Sequence, residues 1–402
     1  MAAAELEATG IASVIVVFRD GGDGAPSRLP GRLQDLFVRS ELSQPGAVAV
    51  EAGGDASVAP PVRLFPNLGV AYGTVTEEGL AGLRARDDVE TVTGAPRLSL
   101  IRPRRVRPAR FDERTTWGIA ALGVQQLWRG GLTGEGVLVG HLDTGVDARH
   151  PTLRRAIALF AEFDHLGRQL NSGGQAHDTD DHGTHTAATV AGRPVRGRHV
   201  GVAPAALLAS AVVIEGGDVV ARVLGGMDWA VGAGIRILTM SLGFRGLWED
   251  FLPLTRILRR RNVLPVFAVG NEGPGTSRSP GNYPEALSVG AVDSAGAVTE
   301  FSSSQRFRRD AEPIVPDLVA PGSQVISARP GGGYQAMDGT SMAAPHVAGL
   351  AALLAEAKPE ATVIEIERAI FASCDRPSGM QAVRANRGIP NAVRALTALT
   401  DP

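Results

Sequence analysis

The chain of 402 residues contains one cysteine, Cys374, and one lysine, Lys358, among its 40 basic residues. A single cysteine excludes a disulfide framework and a cysteine-rich metal site. Its setting, "AIFASCD", resembles the end of a buried helix, so it reads as a structural thiol rather than a nucleophile. Aromatics are sparse at 5%, and the net charge is only −2, which gives no reason to expect nucleic acid or a membrane surface as a partner. No stretch reaches the ~18 apolar residues that a membrane helix needs. The N-terminal "MAAAELEATGIASVIVVFRD" is acidic before a short apolar run, a poor signal peptide, so the expected location is the cytoplasm. The near-absence of lysine reflects coding bias more simply than function.

What is present is ordinary for a large enzyme core: 44% hydrophobic and 20% charged residues. Residues 11–18 and 62–75 read as strands, 76–89 as a helix capped by Thr76, and 89–101 as a further strand, giving a small α+β unit over residues 1–101. The role of the Gly-, Pro- and Ala-rich segment 21–60 is not legible. "RPRRVRPARFDER" (102–114) is basic and broken by proline, and reads as an exposed linker over 102–116 rather than a nucleic-acid arm. From Trp117 to residue 402, short continuous apolar strands alternate with helices, as expected for a parallel α/β sheet.

Three polar clusters fall at strand ends or helix starts: "HLDTGVD" with Asp143, "HDTDDHGTHTA" with His182, and "GTSMAAPH" with Ser341. Open α/β sheets collect reactive groups at the carboxyl ends of their strands. An alcohol is a weak nucleophile at neutral pH, and it needs a base whose tautomer a third group fixes. Serine, histidine and aspartate supply those roles, and a helix N-terminus beneath the serine favours a developing oxyanion. Small residues, Gly339, Ala343 and Ala344, leave room for a substrate backbone, and Pro345 suits the first turn of a helix.

Other chemistries fit less well. "DTG" also marks pepsin-like aspartic proteases, but no second such aspartate exists. His182 and His185 have metal-ligand spacing without the glutamate of HExxH. The serine lacks the G-x-S-x-G setting of α/β-hydrolases, and "PGGGYQ" (330–335) is a turn more simply than a phosphate cradle.

The order Asp, His, Ser within these blocks resembles the subtilisin-like serine proteases. "VLVGHLDTGVDARHPTL", "HGTHTAATVAG", "VGVAPAALLASAVV", "TMSLG", "VFAVGNEG", "YPEALSVGAVD", "DLVAPG" and "DGTSMAAPHVAGLAALL" follow that family's order, from about Trp117 to Leu399. The resemblance implies a parallel sheet flanked by helices and an endopeptidase acting through an acyl-enzyme. It implies that Asp143 orients the ring, His182 is general base then acid, Ser341 is the nucleophile, and Asn271 donates to the oxyanion. It further implies that Ser241, Leu242 and Gly243, with Ala268, Val269 and Gly270, line the substrate cleft. Counting back from "SPGNYP" puts Arg278 at the floor of the first specificity pocket, which would favour an acidic residue just before the scissile bond.

Residues 11–101 resemble the family's propeptide, a small ferredoxin-like α+β domain. That likeness implies a self-inhibited zymogen whose tail, the 102–116 linker, threads the cleft and is cut there. The partners implied are thus a protein or peptide substrate and the chain's own N-terminal unit. No catalytic cofactor is implied. The family often binds calcium through the aspartate of "HPDL" and a loop after the histidine helix. Thr152 in "HPTL" and the basic "RPVRGRH" (193–199) predict that this site is absent, which leaves a structural calcium only elsewhere. The competing reading from another class is a catalytically silent or permanently self-inhibited binding module.

Overall fold

A computed structural model describes residues 2–19, 33–38, 62–170, 175–214 and 219–401. Most of segment 21–60 lies outside the described residues.

The N-terminal unit is a four-stranded antiparallel sheet of β1 (Ala12–Phe18), β2 (Val62–Phe65), β3 (Val70–Val75) and β4 (Val89–Gly94), in the order β2-β3-β1-β4. The stretch 62–75, read from sequence as one strand, is a hairpin of two, turned at residues 66–69. The Glu77–Arg84 helix starts where Thr76 accepts a hydrogen bond from the Gly79 amide. The run "SVIVVF" is apolar on both faces for a physical reason. Val14, Val16 and Phe18 pack with Leu80 and Leu83 of that helix in the unit's own core. Ile15 and Val17 turn the other way and join a second apolar cluster with Val220, Leu224 and Met227 of the Val219–Gly232 helix and with Leu254 and Leu258. A strand buried on both faces loses the alternation that marks a half-exposed one. Asp228 ties the same contact by accepting hydrogen bonds from the Leu68 amide and the Asn67 side chain.

Two strands follow the unit: β5 (Ser99–Leu100) and β6 (Arg105–Ala109). The segment read as an irregular linker is exposed, but it is not structureless. Its β6 pairs antiparallel with a strand near the serine helix, described below.

The larger unit is built on seven parallel strands: β7 (Leu138–Asp143), β8 (Ile157–Glu162), β9 (Leu207–Val212), β10 (Ile237–Met240), β12 (Leu264–Ala268), β14 (Leu287–Val292) and β17 (Leu318–Pro321). Their order is β17-β14-β12-β10-β7-β9-β8. Between them stand the short strands β11 (Leu242–Arg245), β13 (Arg278–Ser279), β15 (Gln305–Arg306) and β16 (Ile314–Val315). A hairpin of β18 (Val325–Ala328) and β19 (Tyr334–Asp338) leads into the Thr340–Ala357 helix, and β19 is the partner of β6. The stretch "IRILTMSLG" is divided at Ser241 into β10 of the main sheet and β11 of a separate three-stranded sheet, β13-β11-β5.

The Thr340–Ala357 helix is buried from Thr340 to Ala355 and packs across the sheet centre. Its near-total burial explains why the sequence there is apolar all round rather than striped. Pro345 lies inside this helix, past its first turn, contrary to the sequence expectation. Proline removes the amide that would bond to the carbonyl four residues back. That carbonyl belongs to Ser341, and the hydroxyl of Ser241 faces it at 3.5 Å.

Cys374 closes the Val363–Ser373 helix, its Sγ 3.3 Å from the Ile370 carbonyl. Burial pushes its thiol up to about 12, so it is not a thiolate at neutral pH.

Candidate active site

Asp143 is the last residue of β7, His182 the first of the His182–Ala191 helix, and Ser341 the second of the Thr340–Ala357 helix. All three are at most 1% exposed. Asp143 Oδ1 accepts from His182 Nδ1 at 2.7 Å and from the Thr144 amide at 2.7 Å. Thr186 donates to Asp143 Oδ2 at 3.3 Å. A ring held at Nδ1 by a carboxylate leaves Nε2 to exchange a proton. His182 Nε2 is buried and has no hydrogen-bond partner among the described residues.

Burial alone would push the Asp143 carboxyl up and the His182 ring down. Their mutual charge and hydrogen bond outweigh burial, holding Asp143 below the usual carboxylate range and raising His182 above the usual imidazole value. Asp178 and Asp180 add to the rise at His182. The signs for stability follow. The His182 contribution is complete below the ordinary imidazole value of about 6.5 and is lost as pH rises through the folded value. The Asp143 contribution is present above the ordinary carboxyl value and is lost as pH falls through the folded one.

Several positioning residues carry no motif in the sequence. Asp178 Oδ2 accepts from the Thr184 amide and hydroxyl, each at 2.6 Å, and its Oδ1 from the Thr144 hydroxyl at 2.7 Å. It thereby ties the end of β7 to the start of the histidine helix. His141 is held between Ser210 and Thr186 at 2.9 Å each. Burial pushes its ring down to about 4, so it stays neutral beside Asp143. Thr340 fixes Asn271: its amide and hydroxyl donate to Asn271 Oδ1 at 2.9 and 3.0 Å, which aims Nδ2 into the cleft. The acidic spacing of "HDTDD" could have flagged Asp178; nothing local signals Thr340 or His141.

The cleft is filled by the chain itself. The β5 segment pairs antiparallel with β11, Ser99 against Gly243 and Leu100 against Leu242, and the Ile101 amide donates to the Ser241 carbonyl at 2.9 Å. Ser341 Oγ donates to the Ile101 carbonyl at 2.5 Å, and Asn271 Nδ2 to the Arg102 carbonyl at 2.9 Å. The carbonyls of Ile101 and Arg102 therefore meet Ser341 and Asn271, at the upstream edge of the 102–116 segment. Beyond them, the Arg104 amide bonds to the Asp338 carbonyl at 2.6 Å, and β6 runs along β19.

On the opposite wall, Val269 accepts from the Arg278 amide at 2.9 Å. Gly270 is at φ +121°, and a Cβ there would sit 3.2 Å from Arg278 Cγ; one on Gly243 would sit 3.2 Å from Arg278 Cβ. The arginine stem thus lies between the two cleft-lining segments.

The expected open guanidinium at a pocket floor is not what forms. Arg278 Nε and Nη2 both donate to Glu272 Oε1, at 2.9 and 2.5 Å, and Nη1 donates to Ser99 Oγ at 3.2 Å and to the Gly243 carbonyl at 3.3 Å. Glu272, adjacent to Asn271 in the chain, is the one sequence signal for this pairing.

Among the described residues, no group of three or more His, Cys, Asp or Glu side chains could hold a metal. Near the loop 193–199, Thr152 Oγ1 donates to the Arg193 carbonyl at 2.5 Å. The Arg193 guanidinium donates to the carbonyls of Pro204, of Ala206 at 2.8 Å and of Arg155 at 3.0 Å. No helix among the described residues is long and apolar enough to cross a membrane.

Known proteins share these blocks. The subtilase family profile matches residues 134–390. The subtilisin-like protease PopC of Myxococcus xanthus is 37% identical over 278 residues, covering 60% of this chain and 56% of that protein. The chain thus spans little more than half the length of PopC. The major intracellular serine protease of Bacillus subtilis is 34% identical over 246 residues, 59% of this chain and 74% of that one. A thermostable alkaline protease of Halalkalibacterium halodurans is 30% identical over 347 residues, 86% of this chain and 88% of its own length. With more than half of its residues inside that profile, the chain belongs to the subtilase family.

Proposed function

We propose that this chain is a serine endopeptidase made in a self-inhibited form, with Ser341 as nucleophile, His182 as base and acid, Asp143 as its orienting carboxylate and Asn271 as oxyanion donor. The observation that carries the reading is the 2.5 Å hydrogen bond from Ser341 Oγ to the Ile101 carbonyl. A nucleophile and a peptide carbonyl of the same chain meet there, while His182 Nε2 keeps no hydrogen-bond partner among the described residues.

In turnover His182 Nε2 takes the Ser341 proton as Oγ attacks the carbonyl carbon, and the Asn271 amide stabilises the developing oxyanion. His182 then gives the proton to the leaving amine, and water repeats the cycle on the acyl-enzyme. In the intact chain the Ser341 hydroxyl donates to Ile101, and Asn271 serves the next carbonyl, that of Arg102. The hydroxyl and the amide donor are thus engaged on different peptide groups, which favours a held tail over immediate cleavage. The first cut follows Ile101 or a residue shortly after it.

A fluorophosphonate probe tests the reading. Intact chain should label slowly, chain cut in the tail and freed of its N-terminal unit quickly, and Ser341→Ala not at all. Absence of labelling in the freed chain would return the molecule to the class of binding modules.

His182 in the intact Ser341→Ala chain should titrate above the ordinary imidazole value, read by the NMR shifts of its ring protons. Asp178→Asn should bring that value down, since Asp178 contributes to the rise. A value at or below about 6.5 would contradict the coupling to Asp143.

The loop 193–199 is held by the chain's own cation in place of a bound ion. Excess chelator should leave the melting temperature within about a degree, because no ion is lost by mass action. Arg193→Ala should lower it by several degrees, since three carbonyls lose a charged donor at roughly 1.5–3 kcal/mol each at most. A large fall on chelation would overturn this reading of the loop.

A further inference from the structure

Arg278 and Arg245 are cross-strand partners on β13 and β11, and Glu272 lies between them. Arg278 is 11% exposed and doubly bonded to Glu272, whereas Arg245 is 77% exposed, with Nε 3.8 Å from the same carboxylate oxygen. Two guanidiniums against one carboxylate leave a net positive charge on this face. The tail residue that meets it is Ser99, opposite Gly243 on β11. Arg278 Nη1 already reaches Ser99 Oγ at 3.2 Å. Ser99 lies two residues before Ile101, whose carbonyl meets Ser341.

We infer that Arg278, with Arg245 beside it, reads the side chain two residues upstream of the residue whose carbonyl meets Ser341, and that it selects aspartate, glutamate or a hydroxyl there. The inference rests on the peptide-cleavage reading for its biological sense, but its geometry belongs to the bound tail. A carboxylate at position 99 takes the Nη1 hydrogen bond that the serine hydroxyl now takes, with charge added on both sides, and charge-assisted bonds are the stronger kind. Glu272 does not cancel this, because it holds Arg278 through Nε and Nη2 and leaves Nη1 turned toward the tail. Arginine or lysine at the same position faces two guanidiniums. The chain's own Ser99 is a neutral occupant, so its tail uses this subsite only weakly. Because the site is partly open to water, the expected selectivity is about two- to fivefold.

The tail serves as the probe, in the full chain carrying Ser341→Ala. Ser99→Asp should slow hydrogen exchange at the Ile101 amide about two- to fivefold, and Ser99→Arg should speed it. In the paired variant Arg278→Gln/Glu272→Gln, made together with Arg245→Gln so that none of the three charges remains, Ser99→Asp should no longer change the exchange rate. Equal exchange in the Ser99→Asp and unsubstituted tails, or an aspartate effect that survives that variant, overturns the inference. This measurement needs no turnover, so failure of the protease reading is visible separately, as absent cleavage by the Ser341 chain. With tail-cut protease and a randomised peptide pool, Asp and Glu should be enriched over Lys and Arg at the third residue before the cut. A flat profile there counts against the inference.

Discussion

Ser341→Ala should lower peptidase activity by about four orders of magnitude or more, with His182→Ala close behind and the double variant no worse than either single one. The non-additivity is the signature of a unit: once Oγ is gone, the base has no proton to take. Residual rate over water comes from Asn271 and from cleft binding. The same substitution should leave the chain at its full mass during storage, while the Ser341 chain loses residues up to the region of Ile101. Fluorogenic-peptide turnover and intact mass on one preparation measure both. More than a hundredth of the original activity in Ser341→Ala would end the assignment of the nucleophile.

The second large effect concerns the tail. Leu98 and Leu100 are 5% and 8% exposed and join the apolar cluster that includes Leu242 and Phe244. Leu98→Asp/Leu100→Asp should raise probe labelling of the uncut chain by roughly a hundredfold or more, since each change exchanges about 2 kcal/mol of apolar burial for a carboxylate that must leave the cleft. The tethered tail acts at an effective concentration near millimolar, so its grip must fall by orders of magnitude before the cleft opens. The catalytic unit's melting transition should persist, because both leucines lie on the tail strand and not beneath the main sheet. Labelling unchanged from the parent chain would mean that the tail does not control access to Ser341.

Much of this was legible from residues alone. Five of the seven sheet strands, β7, β9, β10, β12 and β14, read as short continuous apolar runs, and the polar clusters marked Asp143, His182 and Ser341; β8, exposed at Ala158 and Leu159, carried no such run. Where the sequence misled, distant partners decided. Arg278 read as an open cation because Glu272 is six residues away, and only the turn between them brings the two together. Pro345 read as a first-turn residue although the helix start near Ser341 was legible; counted from Thr340 it lies past that turn. Thr340 and His141 act through residues 69 and 45 positions away, Asn271 and Thr186. No spacing rule connects them. The basic, proline-broken segment carried no strand pattern, since both faces of β6 are exposed and its pairing is set by the backbone of β19.

That pairing has a kinetic consequence. Upstream of Ser341 the tail is stitched to β11, and downstream to β19, with the five residues Arg105–Ala109 opposite Tyr334–Asp338. Hydrolysis between the two sheets would break a covalent bond without freeing either new end. The severed tail would stay seated, with the N-terminal unit anchored by Asp228 and Asp250, and the cleft would remain closed to other peptides. Activation would then be timed by dissociation and not by chemistry: a lag between nicking and activity, independent of how fast Ser341 works, lengthened by anything that holds the N-terminal unit in place.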